Sequence, residues 1–198
     1  DEGRWAARLL SVDAAGSFER GTSVLQLRQE PDEPARWQRV RAALLAARRS
    51  RPAPGRDDKV VTAWNGLAIA ALAEAGALLG VRSWTEAASA AARLLAERHV
   101  TPGGRLRRAS RNGRTGDSAA VLGDYGSLAE GLLALSQATG DRAWLQLAGM
   151  LLEASLRHFG DGAGGFYDTA DDAPRLAHRP SDRRDGAEPS GWFAVANA

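Results

Sequence analysis

Gly80-Val81-Arg82-Ser83-Trp84, then an apolar helical run to His99, then Gly103-Gly104-Arg105-Leu106: this stretch is nearly restated further along the chain. The second copy reads Gly140-Asp141-Arg142-Ala143-Trp144, a similar run to Phe159, and Gly164-Gly165-Phe166-Tyr167. The Gly and Trp recur at an offset of 60 and the Gly-Gly pair at 61. A period of that size with two helical runs inside predicts stacked helical hairpins, each unable to bury its apolar face alone.

Working outward from the repeat, Thr62 through Leu79 is the most apolar segment. Leu67, Ile69, Ala70, Leu72, Ala73 and Leu78 surround it on most sides, which predicts a helix buried nearly all round. Gly80 is placed to end it. Ser83 is the expected N-cap of the next helix, with Glu86 completing a capping box. That helix, to His99, carries Arg93, Glu97 and Arg98 on a wet face. The second unit repeats the logic: an apolar run from Val121 to Ala138, Gly140 as cap, Asp141 as the next N-cap, and a helix to about His158. A third unit begins at Pro189-Ser190-Gly191-Trp192, so the chain reads as a fragment of a longer array. Inner and outer helices of a ring, or of an open superhelix, give this alternation. The Gly-Gly loops favour the ring, because they read as short β-hairpin excursions.

Ahead of the repeat, Trp5 to Leu10 suits a short helix and Ser23 to Leu27 an extended segment. Pro34 fits a helix start. Arg36 to Arg49 then reads as amphipathic, with Trp37, Val40, Leu44 and Leu45 on one face. Arg51-Pro52-Ala53-Pro54-Gly55 breaks it.

With 198 residues, the chain is long enough for a real core. The 44% hydrophobic and 25% charged fractions are those of an ordinary globular protein. No cysteine is present, which excludes disulfides, a thiol nucleophile and Cys-ligated metal. No apolar run is expected to reach the ~18 residues of a membrane span, and no leader opens the sequence; a cytoplasmic protein fits. The pI of about 9.6 is not a nucleic-acid signal. Net charge is only +2, and Lys59 is the sole lysine among 26 basic residues. Arginine usage of that kind reads as a high-GC bacterial bias. The arginines are scattered rather than striped, so nucleic acid is not an expected partner.

Inner-helix N-termini converge on one mouth in such a ring, and their unpaired N–H groups favour anionic or hydroxyl-rich ligands. The candidate residues therefore start the apolar helices: Asp57, Asp58 and Lys59 with Trp64 and Asn65; Asp124 and Tyr125; Asp185, Ser190 and Trp192. Trp64, Tyr125 and Trp192 lie 61 and 67 residues apart. One aromatic per unit, beside carboxylates and small residues, suits a sugar ring; the alternative is that these aromatics plug the core and the aspartates cap helices. Asp58 and Asp124 are the candidate acid and base. Arg105, Arg107, Arg108, Arg111 and Arg114 form a basic loop that either lines the mouth or stays solvated. His99, His158 and His178 lack metal-ligand spacing; no metal or cofactor is expected. His99 and His158 are read as ending outer helices, where imidazole suits the dipole.

One set of motifs goes further. Asp57-Asp58-Lys59-Val60-Val61-Thr62-Ala63-Trp64-Asn65-Gly66-Leu67 resembles the signature of the YyaL-like, or spermatogenesis-associated protein 20, family of thioredoxin-domain-containing proteins. Gly104-Arg105-Leu106 with Arg108, Asp124-Tyr125, Thr139-Gly140-Asp141 with Trp144-Leu145, Gly164 to Ala170 and Asp185 to Gly191 follow in the family's order. The resemblance covers the chain from about Trp37 onward. It implies an all-α fold, part of an (α/α)6 six-hairpin barrel similar to N-acylglucosamine 2-epimerase and cellobiose epimerase. It also implies a thioredoxin-like domain in the full-length protein, which would be a partner of this one. The family's Asn-Ser after Pro-Ser-Gly is Trp192-Phe193 here, and the polar residue before Asp-Tyr is Gly123.

The expectation is a single partial barrel domain over 1–198 that binds or acts on a saccharide in an epimerase- or glycosidase-like way. Asp124 and Asp58 would carry acid/base chemistry. Trp64 and Tyr125 would stack, and Asn65, Arg108, Lys59, Asp185 and Ser190 would bind hydroxyls. The rival is a non-catalytic platform for the thioredoxin-like domain. Unburied hairpin faces also allow self-association.

Overall fold

The computed structural model describes all residues from Asp1 to Ala198. They form two compact units, 1–56 and 57–198.

In the first unit, α1 spans Glu2–Leu9 and α2 spans Pro34–Arg49, with a 3-10 turn at Glu19–Gly21 between them. Pro34 occupies the first turn of α2, where its missing N–H costs nothing. Trp5, Leu9 and Val40 make a small core, with Ala6 and Trp37 against it. Arg36 lies 4.8 Å over the Trp5 ring, and Arg39 pairs with Glu2 at 2.7 Å. The apolar face expected along α2 is only half covered. Val40 is buried, but Leu44 and Leu45 are 40% and 43% exposed, because the short α1 reaches only the first half of α2.

The second unit runs β1 (Val60–Val61), α3 (Thr62–Leu79), α4 (Arg82–Arg98), β2 (Ala109–Arg111), β3 (Arg114–Thr115), α5 (Leu122–Thr139), α6 (Arg142–Phe159) and α7 (Gly191–Asn197). α5 is the central element: α3 and α7 pack on it, α4 packs on α3, and α6 on α5. We call α3, α5 and α7, which pack side by side, the inner helices, and α4 and α6, which pack on α3 and α5, the outer ones. Two helical hairpins and α7 surround a core that includes Ile69, Leu95, Leu128, Leu132, Leu151 and Phe159.

Glycine sets how closely the inner helices approach. A Cβ on Gly66 would stand 2.6 Å from the Leu128 nitrogen, and one on Gly126 would stand 2.6 Å from the Ala194 carbonyl carbon. Gly66 thus does for the α3–α5 contact what Gly126, sixty residues on, does for α5–α7. The repeat extends to backbone bonds. Arg107 donates to the His99 carbonyl as Tyr167 donates to that of Phe159, both at 2.8 Å. Thr62 donates to Arg108 at 2.9 Å as Leu122 does to Asp168 at 3.0 Å. In each hairpin, the segment leaving the outer helix returns to hold the start of the inner one.

Gly80 and Gly140 end α3 and α5 with φ of 67° and 73°, the left-handed conformation that favours glycine. Asp141 caps α6, accepting from Ala143 N at 2.9 Å. Ser83 does not cap α4. Val81 N bonds back to Gly76 O and Trp84 N to Val81 O, so the helix starts two residues earlier, with Val81 at the cap position, and Glu86 pairs with Arg82 at 2.9 Å instead.

Two further expectations are corrected. α3 is not buried all round: its buried residues are Thr62, Gly66, Ile69, Ala73 and Gly76, one stripe against α5, while Leu78 is 85% exposed. Nor is the chain without a segment of membrane-spanning dimensions, since α3 is long and apolar enough by length and composition alone. The unit is mostly helical but carries a small antiparallel sheet in the order β1-β2-β3. The β2–β3 hairpin turns at Asn112-Gly113, both at positive φ, the preferred pair for a tight hairpin. The Gly-Gly loops are closed by single antiparallel bridges, Val100 with Leu106 and Gly160 with Phe166.

Candidate functional site

The starts of the three inner helices meet at Asp124. Its carboxylate is 1% exposed. Oδ2 accepts from Val121 N at 2.9 Å, capping α5 itself, while Oδ1 accepts from Ala63 N at 3.1 Å in the first turn of α3. One side chain therefore satisfies otherwise unpaired amides of two helices. On the other side, a Cβ on Gly191 would stand 2.7 Å from Gly123 N, so α7 begins against the first turn of α5. Arg108, with its side chain about half exposed, brings Nη1 to 3.7 Å from Asp124 Oδ2. Burial pushes the Asp124 carboxyl above its ordinary value; the Val121 amide, Arg108 and the Ala63 amide pull it back, and the Glu188 charge adds to the rise.

Trp64 stands beside this junction on the first turn of α3 and is 59% exposed. Asn65 turns its Nδ2 inward to donate to Val61 O at 2.8 Å. Tyr125, expected to stack on a ligand, lies instead in the core. Its hydroxyl accepts from Leu106 N at 3.0 Å and Arg105 Nε at 3.2 Å, and its ring meets Phe159 edge-on at 5.1 Å. Residue 125 follows Asp124 on the side of α5 that α6 covers. Asp58 and Lys59 are exposed ahead of β1. Lys59 pairs with Asp57 at 3.1 Å and lowers its pKa. Asp185 and Ser190 are occupied in shaping the entry to α7. Asp185 accepts from Ser190 N at 2.9 Å, and the Ser190 hydroxyl accepts from Phe193 N at 3.2 Å. The structure therefore brings Arg108 and the first turn of α3 to Asp124, with Trp64 next along that turn and the Glu188 charge near enough to act on the carboxyl. The sequence alone assigns Glu188 no role.

The basic loop divides. Arg105 is bidentate to Asp172 at 2.6 and 2.8 Å, and Arg107 donates to Asp117 O at 2.8 Å. Of the two, Arg105 locks the loop onto Tyr125; Arg108 is the arginine that faces the junction. His158, Asp171 and Asp172 bring potential ligand atoms within 4.8 Å of one another. Both Asp172 oxygens, however, are already held by Arg105, and His158 bonds Asp171 at 2.9 Å.

His99 ends α4 as expected, but its ring faces the interior. It is fully buried between Thr62 Oγ1 at 2.7 Å and Ser110 Oγ at 2.8 Å. The Thr62 hydroxyl donates to Arg107 O at 2.7 Å, so it accepts from His99 Nδ1–H, and Nε2 accepts from Ser110. Burial lowers the His99 pKa. The triad ties the start of α3 to the end of α4 and to β2. The repeat carried the signal for it: Thr62 and His99 stand where the second unit has Leu122 and Phe159, a polar pair in place of an apolar one.

No family model matches the chain. Human spermatogenesis-associated protein 20 is 36% identical over 158 residues, covering 74% of this chain and 20% of that protein. The mouse protein of the same name is 35% identical over the same shares. An uncharacterized protein of Caenorhabditis elegans is 28% identical over 197 residues, 96% of this chain and 26% of that protein. The chain thus spans about a fifth of the length of the mammalian relatives it matches. These relatives are animal proteins and lend no support to the bacterial source expected from arginine usage.

Proposed function

This chain belongs to the family of spermatogenesis-associated protein 20, and on that footing we propose that residues 57–198 are part of a six-hairpin α/α barrel whose inner-helix mouth binds a saccharide. The observation that carries this reading is the junction at Asp124. Three inner-helix starts meet there, with an exposed indole and a half-exposed guanidinium beside a buried carboxyl. Trp64 supplies the face on which a C–H-rich ring stacks, and Arg108 supplies donors to its hydroxyls. Asp124 holds Arg108 in place. With its proton affinity raised by burial, it is also the candidate acid of an epimerase- or glycosidase-like step, with Asp58 or Glu188 as the second carboxylate. Calorimetric titration with a panel of neutral and N-acylated mono- and disaccharides tests the reading. Binding that is lost in Trp64→Ala and in Arg108→Ala supports it; binding equal to that of the unmutated chain in both variants overturns it.

A second reading, a non-catalytic platform for a thioredoxin-like domain, is favoured by the uncovered side of α3, where Leu78 and Leu79 are 85% and 67% exposed. It predicts no saccharide response across the same panel.

A further inference from the structure

The first unit carries a feature unrelated to the mouth. Leu25, from the extended segment after the 3-10 turn, and Leu44 and Leu45, from the second half of α2, line a groove together with Pro52 and Pro54. The three leucines are 54%, 40% and 43% exposed, a concentration of aliphatic surface in one concavity rather than singly scattered side chains.

The rim is as distinctive as the floor. Arg41, Arg48, Arg49 and Arg51 line it. Between Pro34 and Arg56 the sequence holds seven arginines and no acidic residue. Arg36 and Arg39, nearer the core, are spent on Glu33 and Glu2. Arg41, Arg48, Arg49 and Arg51 form no such ion pair within the unit.

We propose that this groove docks a short acidic amphipathic peptide segment of a partner protein, its aliphatic side chains on Leu25, Leu44 and Leu45 and its carboxylates on the rim arginines. Charge complementarity selects the acid, since planar guanidinium groups pair carboxylates bidentately, and the leucine floor selects the apolar face. Nucleic acid fits less well, because the lining has no aromatic ring on which a base would stack. A bilayer fits less well too, because interfacial helices project their apolar side chains, whereas these leucines are about half covered within a concavity.

The test is fluorescence anisotropy on the whole chain with a labelled peptide of Leu, Ala and Glu patterned as an amphipathic helix. Parallel titrations use the same peptide with Leu replaced by Ser, double-stranded RNA, and phosphatidylserine vesicles. Expected is saturable binding to the acidic peptide, weakened about tenfold or more by the double substitution Arg48→Glu, Arg49→Glu and by raised salt, and abolished when the peptide's leucines are Ser. Leu45→Ser in the protein should weaken it without changing the helical circular dichroism, since that side chain is already exposed. If the charge-reversed chain does not fold, the single variants Arg41→Gln and Arg49→Gln, each expected to weaken binding, take its place. No binding of the acidic peptide, undiminished binding of the Ser peptide, or tighter binding of RNA or vesicles overturns the proposal.

Discussion

Replacing Gly66 by Ala adds one methyl group where two helix backbones touch. The new carbon would meet Leu128 N at 2.6 Å and the Ser127 carbonyl carbon at 2.5 Å. Ordinary van der Waals contact begins near 3.4 Å. No rotamer relieves the clash, because a methyl has none and the opposing atoms are main chain. α3 must therefore back away from α5 by roughly 1 Å, loosening Ile69 and Ala73 in the same stripe. Overpacking of this kind costs about 1–3 kcal/mol and occasionally more. Against it stands the helix preference of Ala over Gly, about 1 kcal/mol. Gly149 isolates that second effect: it lies within α6, and a Cβ there meets nothing within 4 Å. Gly149→Ala should stabilise by about 0.5–1 kcal/mol, and Gly66→Ala should destabilise by up to about 2 kcal/mol. With about 2–4 °C per kcal/mol for a chain of this size, the two variants should melt on opposite sides of the parent. Urea unfolding followed by circular dichroism provides the free energies. A Gly66→Ala chain as stable as Gly149→Ala would refute the glycine-mediated contact between inner helices.

Tyr125→Phe leaves the buried Leu106 amide without its acceptor, so it should cost about 1–3 kcal/mol in urea unfolding while leaving saccharide binding intact. The buried, neutral His99 makes stability depend on pH. Its folded pKa lies below the ordinary 6.5, so the unfolded chain binds the proton first; its contribution is present above 6.5 and is lost as pH falls through the folded value. Against His99→Gln, the parent's advantage should shrink over that window in urea titrations at stepped pH, whereas a constant difference would contradict the assignment. Asp124 has the opposite sign. Its folded pKa is raised above 3.8, so stability falls as pH rises through that raised value, and Asp124→Asn should remove this slope; both measurements come from the same titration series.

The repeat made the hairpins legible because glycine caps and helical periodicity are local properties of the sequence. Gly80, Gly140 and the Asp141 cap stand where the pattern placed them. Which face of a helix is covered is not local. α3 is apolar nearly all round, yet only α5 and α4 cover it, so composition overstated its burial. Likewise Tyr125 and Trp64 occupy similar places in the repeat but different surroundings. α6 and the Arg105 loop close over the one, and nothing closes over the other. The polar exchange of Thr62 and His99 for Leu122 and Phe159 was visible but gave no geometry, since only the fold brings Ser110 to the second imidazole nitrogen. The sequence places Asp124 at the start of an apolar helix, where it lies, but a sequence cannot show that one carboxylate serves the amides of two helices.

The central claim, that the inner-helix starts frame a ligand mouth open at Trp64 and Arg108, is tested most directly by amide chemical shifts followed through a saccharide titration. The account predicts concentration-dependent shifts confined to Ala63, Trp64, Arg108, Glu188 and their neighbours. Shifts absent there, or confined to residues 1–56, would contradict it.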